Sequence, residues 1–206
     1  MACGKTLERF GRFEAPINNA GITMYTLFGG IEDLSLVERI MKVNYLGSVY
    51  CTYFALPYLK KSRGRLVAIS SLTGKAGVPT RTAYSASKHA MAGFFDSLRI
   101  ELAGSGVSVT VIYPGFVATE IRKNAFGKTG KPLGWSHIKE SRAMEVGKAV
   151  QKMLKAIAAR KRKLLMGTKA KIGVWMKLIS PSLVDKIARR SIEKGKTEIF
   201  KYILRF

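Results

Sequence analysis

The sequence predicts an α/β protein, with a single doubly wound sheet of parallel strands carrying helices on both faces. Short apolar, β-branched runs alternate along the 206 residues with longer segments whose apolar positions recur at helical spacing, the rhythm of repeated strand-helix-strand units. Residues 66–69, Leu-Val-Ala-Ile, are apolar at every position, as a strand covered on both faces requires. Three of the four strand-like runs end in unusual small or polar residues, and open parallel sheets bind ligands beyond the carboxyl ends of their strands. With 47% hydrophobic residues, a chain of this length supports one sizeable core rather than two domains.

The elements follow in order. Residues 7–12 read as the end of a helix and residues 15–19 as the first strand. Pro16 is odd there, because proline cannot donate to a ladder and suits an edge. Residues 32–62 read as helical with a break near Asn44, and Leu34, Val37, Ile40 and Met41 form one face. After the strand at 66–69, closed by Ser70-Ser71, residues 83–103 form a strong helix, with Thr80 or Thr82 as N-cap and Gly104 as stop signal. Residues 107–113 alternate, are β-branched and stop at Pro114-Gly115, so they read as a third strand. Residues 146–159 then read as a helix, 163–166 as a short edge strand and 183–190 as part of a last helix.

Composition narrows the function classes. Cys3 and Cys51 have no partner spacing, which fits a reducing compartment. No run reaches the roughly 18 apolar residues of a membrane span, and the opening lacks the apolar core of a secretion signal. The expected location is cytoplasmic, in solution or peripheral at a membrane. The net charge of +23 is uneven: residues 1–120 hold 13 Lys/Arg and 8 Asp/Glu, and residues 121–206 hold 23 and 5. The basic residues form no recognisable nucleic-acid motif, so no nucleic-acid partner is expected. Anionic lipid, an acidic substrate or a plain solvated face all remain open. In the tail, Ile172, Val174, Trp175, Met176, Leu178 and Ile179 are bracketed by Lys169, Lys171 and Lys177, a pattern that suits an anionic membrane surface. Gly4-Lys5-Thr6 and Gly127-Lys128-Thr129 are not phosphate loops, since the motif's first glycine would fall before Met1 or on Arg122. His89 and His137 lack metal-ligand spacing, and no metal is expected.

The sharpest signal is Tyr84-Ser85-Ala86-Ser87-Lys88. Tyr84 and Lys88, four apart, share a helix face that continues as Met91, Phe95, Leu98 and Leu102. A lysine heading an apolar stripe needs a specific partner, although an isolated match of this kind is more often a lysine reaching out to solvent. Its company decides otherwise: Asn18-Asn19-Ala20-Gly21, Asn44 within Val43-Asn44-Tyr45, Ser71 thirteen residues before Tyr84, and Pro114-Gly115 followed by Thr119. In these five ordered elements the chain resembles the short-chain dehydrogenase/reductase family, which moves hydride between a nicotinamide cofactor and a carbonyl or alcohol. The resemblance runs over residues 7–166 and is most specific over 70–88.

It implies a Rossmann-type sheet and NADP or NAD as cofactor. The implied catalytic residues are Asn44, Ser71, Tyr84 and Lys88. Tyr84 would exchange a proton with the substrate oxygen, Lys88 would favour the phenolate and bind the nicotinamide ribose, Ser71 would hold the substrate oxygen, and Asn44 would anchor a relay water. Cofactor contacts would come from Asn18, Ala20, Gly21, Tyr84, Lys88, Pro114, Gly115, Val117 and Thr119, with a helix N-cap as the alternative role of Thr119. The family normally opens with a strand and a glycine-rich turn that are not seen here, so the expected domain is amino-terminally incomplete. Within the single domain 1–206, residues 1–120 would hold the sheet and catalytic core, 121–166 the substrate loop and last strand, and 167–206 a basic extension. Residues 84–102 and the tail are most similar to the 11β-hydroxysteroid-dehydrogenase-like branch and its relatives that reduce acyl- or alkyl-dihydroxyacetone phosphate. This similarity implies NADP, a small lipophilic carbonyl or alcohol substrate, lipid metabolism and membrane association. An exposed sheet edge favours a homo-oligomer. Two other readings stay open: a non-enzymatic remnant unable to bind cofactor, and a basic membrane-associating module.

Overall fold

The computed structural model describes residues 2–135 and 143–194, and His137 lies outside them. Strands β1 (Ile17–Asn18), β2 (Arg65–Ile69), β3 (Ser108–Tyr113) and β4 (Lys163–Leu165) form one sheet in the order β1-β2-β3-β4, every neighbouring pair parallel. Parallel neighbours need a crossover. Helices α2 (Ser35–Met41) and α3 (Gly47–Ser62) connect β1 to β2, α4 (Thr82–Glu101) connects β2 to β3, and α5 (Val146–Ala158) connects β3 to β4. Helix α1 (Ala2–Phe10) precedes the sheet, and α6 (Thr168–Ile179) and α7 (Pro181–Lys194) follow it.

Successive side chains on a strand point to opposite faces. On one face, Leu66 and Ala68 of β2 join Val109, Val111 and Tyr113 of β3 and meet Leu59 of α3 and Met91, Phe95 and Leu98 of α4. On the other, Val67 and Ile112 meet Ala149 and Ile157 of α5. Both faces are covered, which is why residues 66–69 carry no polar side chain. The apolar stripe that Tyr84 and Lys88 begin on α4 is buried throughout.

Local chemistry moves several boundaries. The first strand pairs over two residues rather than 15–19, because Pro16 offers its carbonyl to the Val67 N–H at 3.1 Å but has no N–H for the preceding rung. As an edge strand, β1 tolerates this. The helix expected from residue 32 begins at Ser35, where Asp33 accepts the Ser35 N–H at 2.8 Å. Near Asn44 the winding does not break. It widens into one π-turn, Lys42–Leu46, and runs on into α3. Neither Thr80 nor Thr82 caps α4. The cap position is Arg81, with no side-chain cap bond, and Thr80 is buried in a left-handed conformation (φ 69°) with its carbonyl accepting the Thr26 N–H at 3.1 Å. Gly104, at φ 81°, terminates the helix as expected.

Phe95 is fully buried between α4 and the sheet, whereas Phe10 is 66% exposed. Phe95→Ala is expected to cost about 3–5 kcal/mol of unfolding free energy and Phe10→Ala less than about 0.5, read from urea denaturation midpoints.

Candidate active site

Asn44 is completely buried in the π-turn. Its Oδ1 accepts the Ile22 N–H at 2.8 Å, and its Nδ2 donates to the Ile22 carbonyl at 3.0 Å and to Ser87 Oγ at 2.9 Å. Ser87 Oγ in turn donates to the Tyr84 carbonyl at 2.8 Å. One side chain thus ties the loop after β1 to the first turns of α4. Both amide hydrogens are committed, so Asn44 can offer a relay water only the second lone pair of Oδ1. π-turns recur at functional sites. Here the extra residue in the turn accompanies an asparagine aimed inward.

Lys88 is 3% exposed, and its Nζ donates to the Ile69 carbonyl at 2.8 Å and reaches Met91 Sδ at 3.6 Å. The end of β2 therefore supplies the partner that a buried amine requires. Burial pushes the Lys88 amine down to about 8. Beyond Ile69, Ser70 Oγ donates to the Lys88 carbonyl at 3.0 Å. The following 3₁₀ turn, Leu72–Gly74, presses so closely on α4 that a Cβ at Gly74 would lie 2.7 Å from that carbonyl and 2.6 Å from Ser70 Oγ. This docking sets Ser71 against Tyr84. Ser71 Oγ accepts the Thr73 N–H at 3.2 Å, leaving its own proton to act on the phenol of Tyr84.

Tyr84 is 7% exposed. Burial holds its phenol above the ordinary tyrosine value, and the positive charge of Arg81 and the Ser71 hydrogen bond pull the other way. The sequence pointed to Lys88 as the charge acting on Tyr84. Lys88 Nζ does stand 5.8 Å from the ring centroid, but the electrostatic partner of the phenol is Arg81, whose guanidinium is also 5.8 Å from that ring and 4.1 Å from Tyr25. Arg81 was missed because a charged residue just outside a helix reads as a solvated end.

These groups open on a cleft of about 510 Å³ at the carboxyl ends of β1, β2 and β3. Of the expected residues, Gly21, Ser71, Tyr84 and Lys88 line it, as do Pro114, Gly115, Val117 and Thr119. Asn44 stands behind this lining, and Asn18 and Ala20 do not contribute to it. Asn18 Nδ2 instead donates to Thr52 Oγ1 at 3.1 Å, fastening β1 to α3. Thr119 precedes a 3₁₀ turn, Glu120–Arg122, without capping it, so the helix-cap role fails, and the exposed residue lines the cleft. Val146, Val150 and Met153 of α5 supply an apolar wall.

A family model for short chain dehydrogenases matches residues 2–129. The chain belongs to the short chain dehydrogenase family. Over 191 residues it is 36% identical to a dehydrogenase/reductase SDR family protein 7-like of Anopheles gambiae, covering 91% of this chain and 60% of that protein. It is 44% identical over 127 residues to an 11-beta-hydroxysteroid dehydrogenase-like 6 of Arabidopsis thaliana, covering 61% and 37%. The chain thus spans between about a third and three-fifths of the length of such relatives. Among solved structures, a short chain dehydrogenase from Burkholderia cenocepacia in complex with NADP superposes with a TM-score of 0.74 at 23% identity, covering 90% of this chain and 73% of that one. This likeness supports the Rossmann-type fold, of which the four-stranded sheet is an incomplete version.

The family implies a nicotinamide cofactor, and the cleft fits its nicotinamide end. A Cβ at Gly21 would stand 3.3 Å from Asn44 Oδ1 and 3.4 Å from Lys88 Nζ, and one at Gly115 would stand 3.3 Å from Leu72. A side chain at either position would therefore crowd the groups packed against the cleft wall, so the backbone alone fits there. Lys88 and the Thr119 hydroxyl retain donors for a ribose or carboxamide.

The Lys88 shift has a measurable consequence. Below pH 8 both folded and unfolded chains carry the proton; from about 8 to the ordinary value of 10.5 the unfolded chain binds more, so stability rises with pH. Relative to Lys88→Met, the native protein is expected to gain about 2 kcal/mol between pH 8 and 10. Urea midpoints across that range would show it, and parallel curves for the two proteins would contradict it.

Proposed function

We propose that this short chain dehydrogenase interconverts a carbonyl and an alcohol on a small lipophilic substrate, using NADP(H) or NAD(H). The observation that carries the reading is the convergence of Tyr84, Ser71 and Lys88 in one cleft at the strand ends. The cofactor, when bound, supplies or receives the hydride, and every other function falls to side chains. Tyr84 donates the proton to the substrate oxygen in reduction. Its raised phenol value keeps it protonated at neutral pH, as a proton donor must be. Ser71, freed to donate, holds the same oxygen in line. Lys88 keeps a positive charge beside the phenol and has donors left for the ribose. Asn44 positions the loop at Gly21 and the first turns of α4, and a relay water would use its remaining lone pair.

Tyr84→Phe is expected to lower NADPH-dependent ketone reduction by about 10²- to 10⁴-fold with NADPH affinity largely kept, whereas Lys88→Ala lowers both. Initial rates combined with fluorescence titration of the cofactor would test this. A Tyr84→Phe protein turning over near the native rate would overturn the mechanism. Absence of NADPH or NADH binding by the native chain would favour the non-enzymatic remnant.

Peripheral membrane association is a second reading, carried by α6 and α7. Ile172, Trp175, Leu178 and Ile179 are 60% to 84% exposed, and Leu183 and Ile187 of α7 are about half exposed. No helix among the described residues is long and apolar enough to cross a membrane. The side chains of Lys169 and Lys171 lie outside the described set. The same surface supports a lipophilic substrate and a role in lipid metabolism, and the exposed aromatic face of α3 (Tyr50, Tyr53, Phe54) supports self-association. Sedimentation with vesicles is expected to show tighter binding to phosphatidylserine-containing than to neutral membranes, weakening with salt. Equal sedimentation with both would leave the basic tail a solvated face.

A further inference from the structure

Two arginines line the cleft without a counter-charge. Arg122, in the 3₁₀ turn beyond Thr119, is 5% exposed; its Nη2 donates to the Val117 carbonyl at 3.3 Å, while Nε and Nη1 are buried with no acceptor. Arg81, three residues before Tyr84, lies against the rings of Tyr25 and Tyr84. Burial pushes its guanidinium down to about 10, and the like charge of Arg122 adds to that. Among the described residues neither joins an ion pair. Removing a guanidinium from water without an anion is costly, and arginine cannot escape the cost by shedding its proton at physiological pH. Two such groups acting on one another and facing one cavity form a fork-shaped donor set suited to a carboxylate or phosphate.

We propose that Arg81 and Arg122 form an anion site that selects substrates carrying a carboxylate or phosphate group near the reacting carbonyl or alcohol. The apolar remainder of the substrate lies along Phe116, Ile121, Val150 and Met153, which line the same cleft. This rests on the oxidoreductase reading above and sharpens it. The substrate is amphiphilic, with its charged end beside Tyr84. A neutral ketone would leave two nitrogens of Arg122 buried and unpaired and the partly buried Arg81 without a counter-charge.

Calorimetric titration of the full chain with a long-chain keto acid, its methyl ester and the corresponding keto phosphate tests the site without turnover. Either anion is expected to bind roughly 10- to 100-fold more tightly than the ester. The better of the two identifies the group, and salt narrows the gap. Arg81→Met and Arg122→Met are each expected to bring anion and ester within about threefold, with ester affinity kept and Arg122→Lys retaining part of the gap. Equal binding of acid, phosphate and ester to the native protein would overturn the proposal, and that comparison needs no variant. So would a gap that survives both methionine variants while their NADPH affinity falls, which would assign the arginines to the cofactor's own phosphates. An anion bound with the expected preference but never reduced would uphold the site and refute the reaction.

Discussion

The structure around the cleft is organised by the need to keep one primary amine inside a folded core. Lys88 sits at the head of an apolar stripe, where its charge has lost nearly all contact with water, and the carbonyl of Ile69 at the end of β2 is what it holds. Fixing that contact requires α4 to enter at one depth against the sheet, and the neighbouring hydrogen bonds do so. Ser70 grips the Lys88 carbonyl, Gly74 lets the next turn come within contact distance, and Asn44 draws the β1 loop onto the same helix. A buried, satisfied polar network of this kind rigidifies its surroundings and is costly to break at any member.

The same burial acts on the two titrating groups in opposite directions. It lowers the amine of Lys88 toward neutrality and raises the phenol of Tyr84 away from it, since it penalises the charged form of each. Arg81 and Ser71 moderate the second effect. The outcome is a protonated phenol next to a positive amine that still has hydrogens to give. This is the state in which a carbonyl oxygen can be bound, polarised and protonated in one place. In the proposed mechanism, the packing that stabilises α4 thus also prepares the acid.

Much of this was legible in the residues themselves. The strand at 66–69 and the long helix after Thr80 announced themselves because a doubly covered strand and an amphipathic helix leave strong periodic signals. Tyr84, Lys88 and Ser71 were legible by spacing and company. The π-turn at Asn44 was read as a break, because an inserted residue disturbs the period without saying whether the winding continues. Pro16 marked an edge correctly but concealed how short β1 is. Asn18 resembled a cofactor contact, yet its side chain is spent on Thr52. Arg81 and Arg122 were invisible for a different reason. A charged residue at a helix end is ordinarily solvated, and only the tertiary fold shows that these two line the cleft.

In the proposed reaction, hydride arrives in this cleft and a proton arrives from Tyr84 on the same carbonyl. The most direct measurement is product analysis by mass spectrometry after reduction of a ketone with NADPH carrying deuterium at the transferable position of the nicotinamide. One deuterium is expected on the carbinol carbon of the product, with loss of labelled product in Tyr84→Phe. An alcohol formed without the label, or labelled alcohol formed as fast without the Tyr84 hydroxyl, would contradict it.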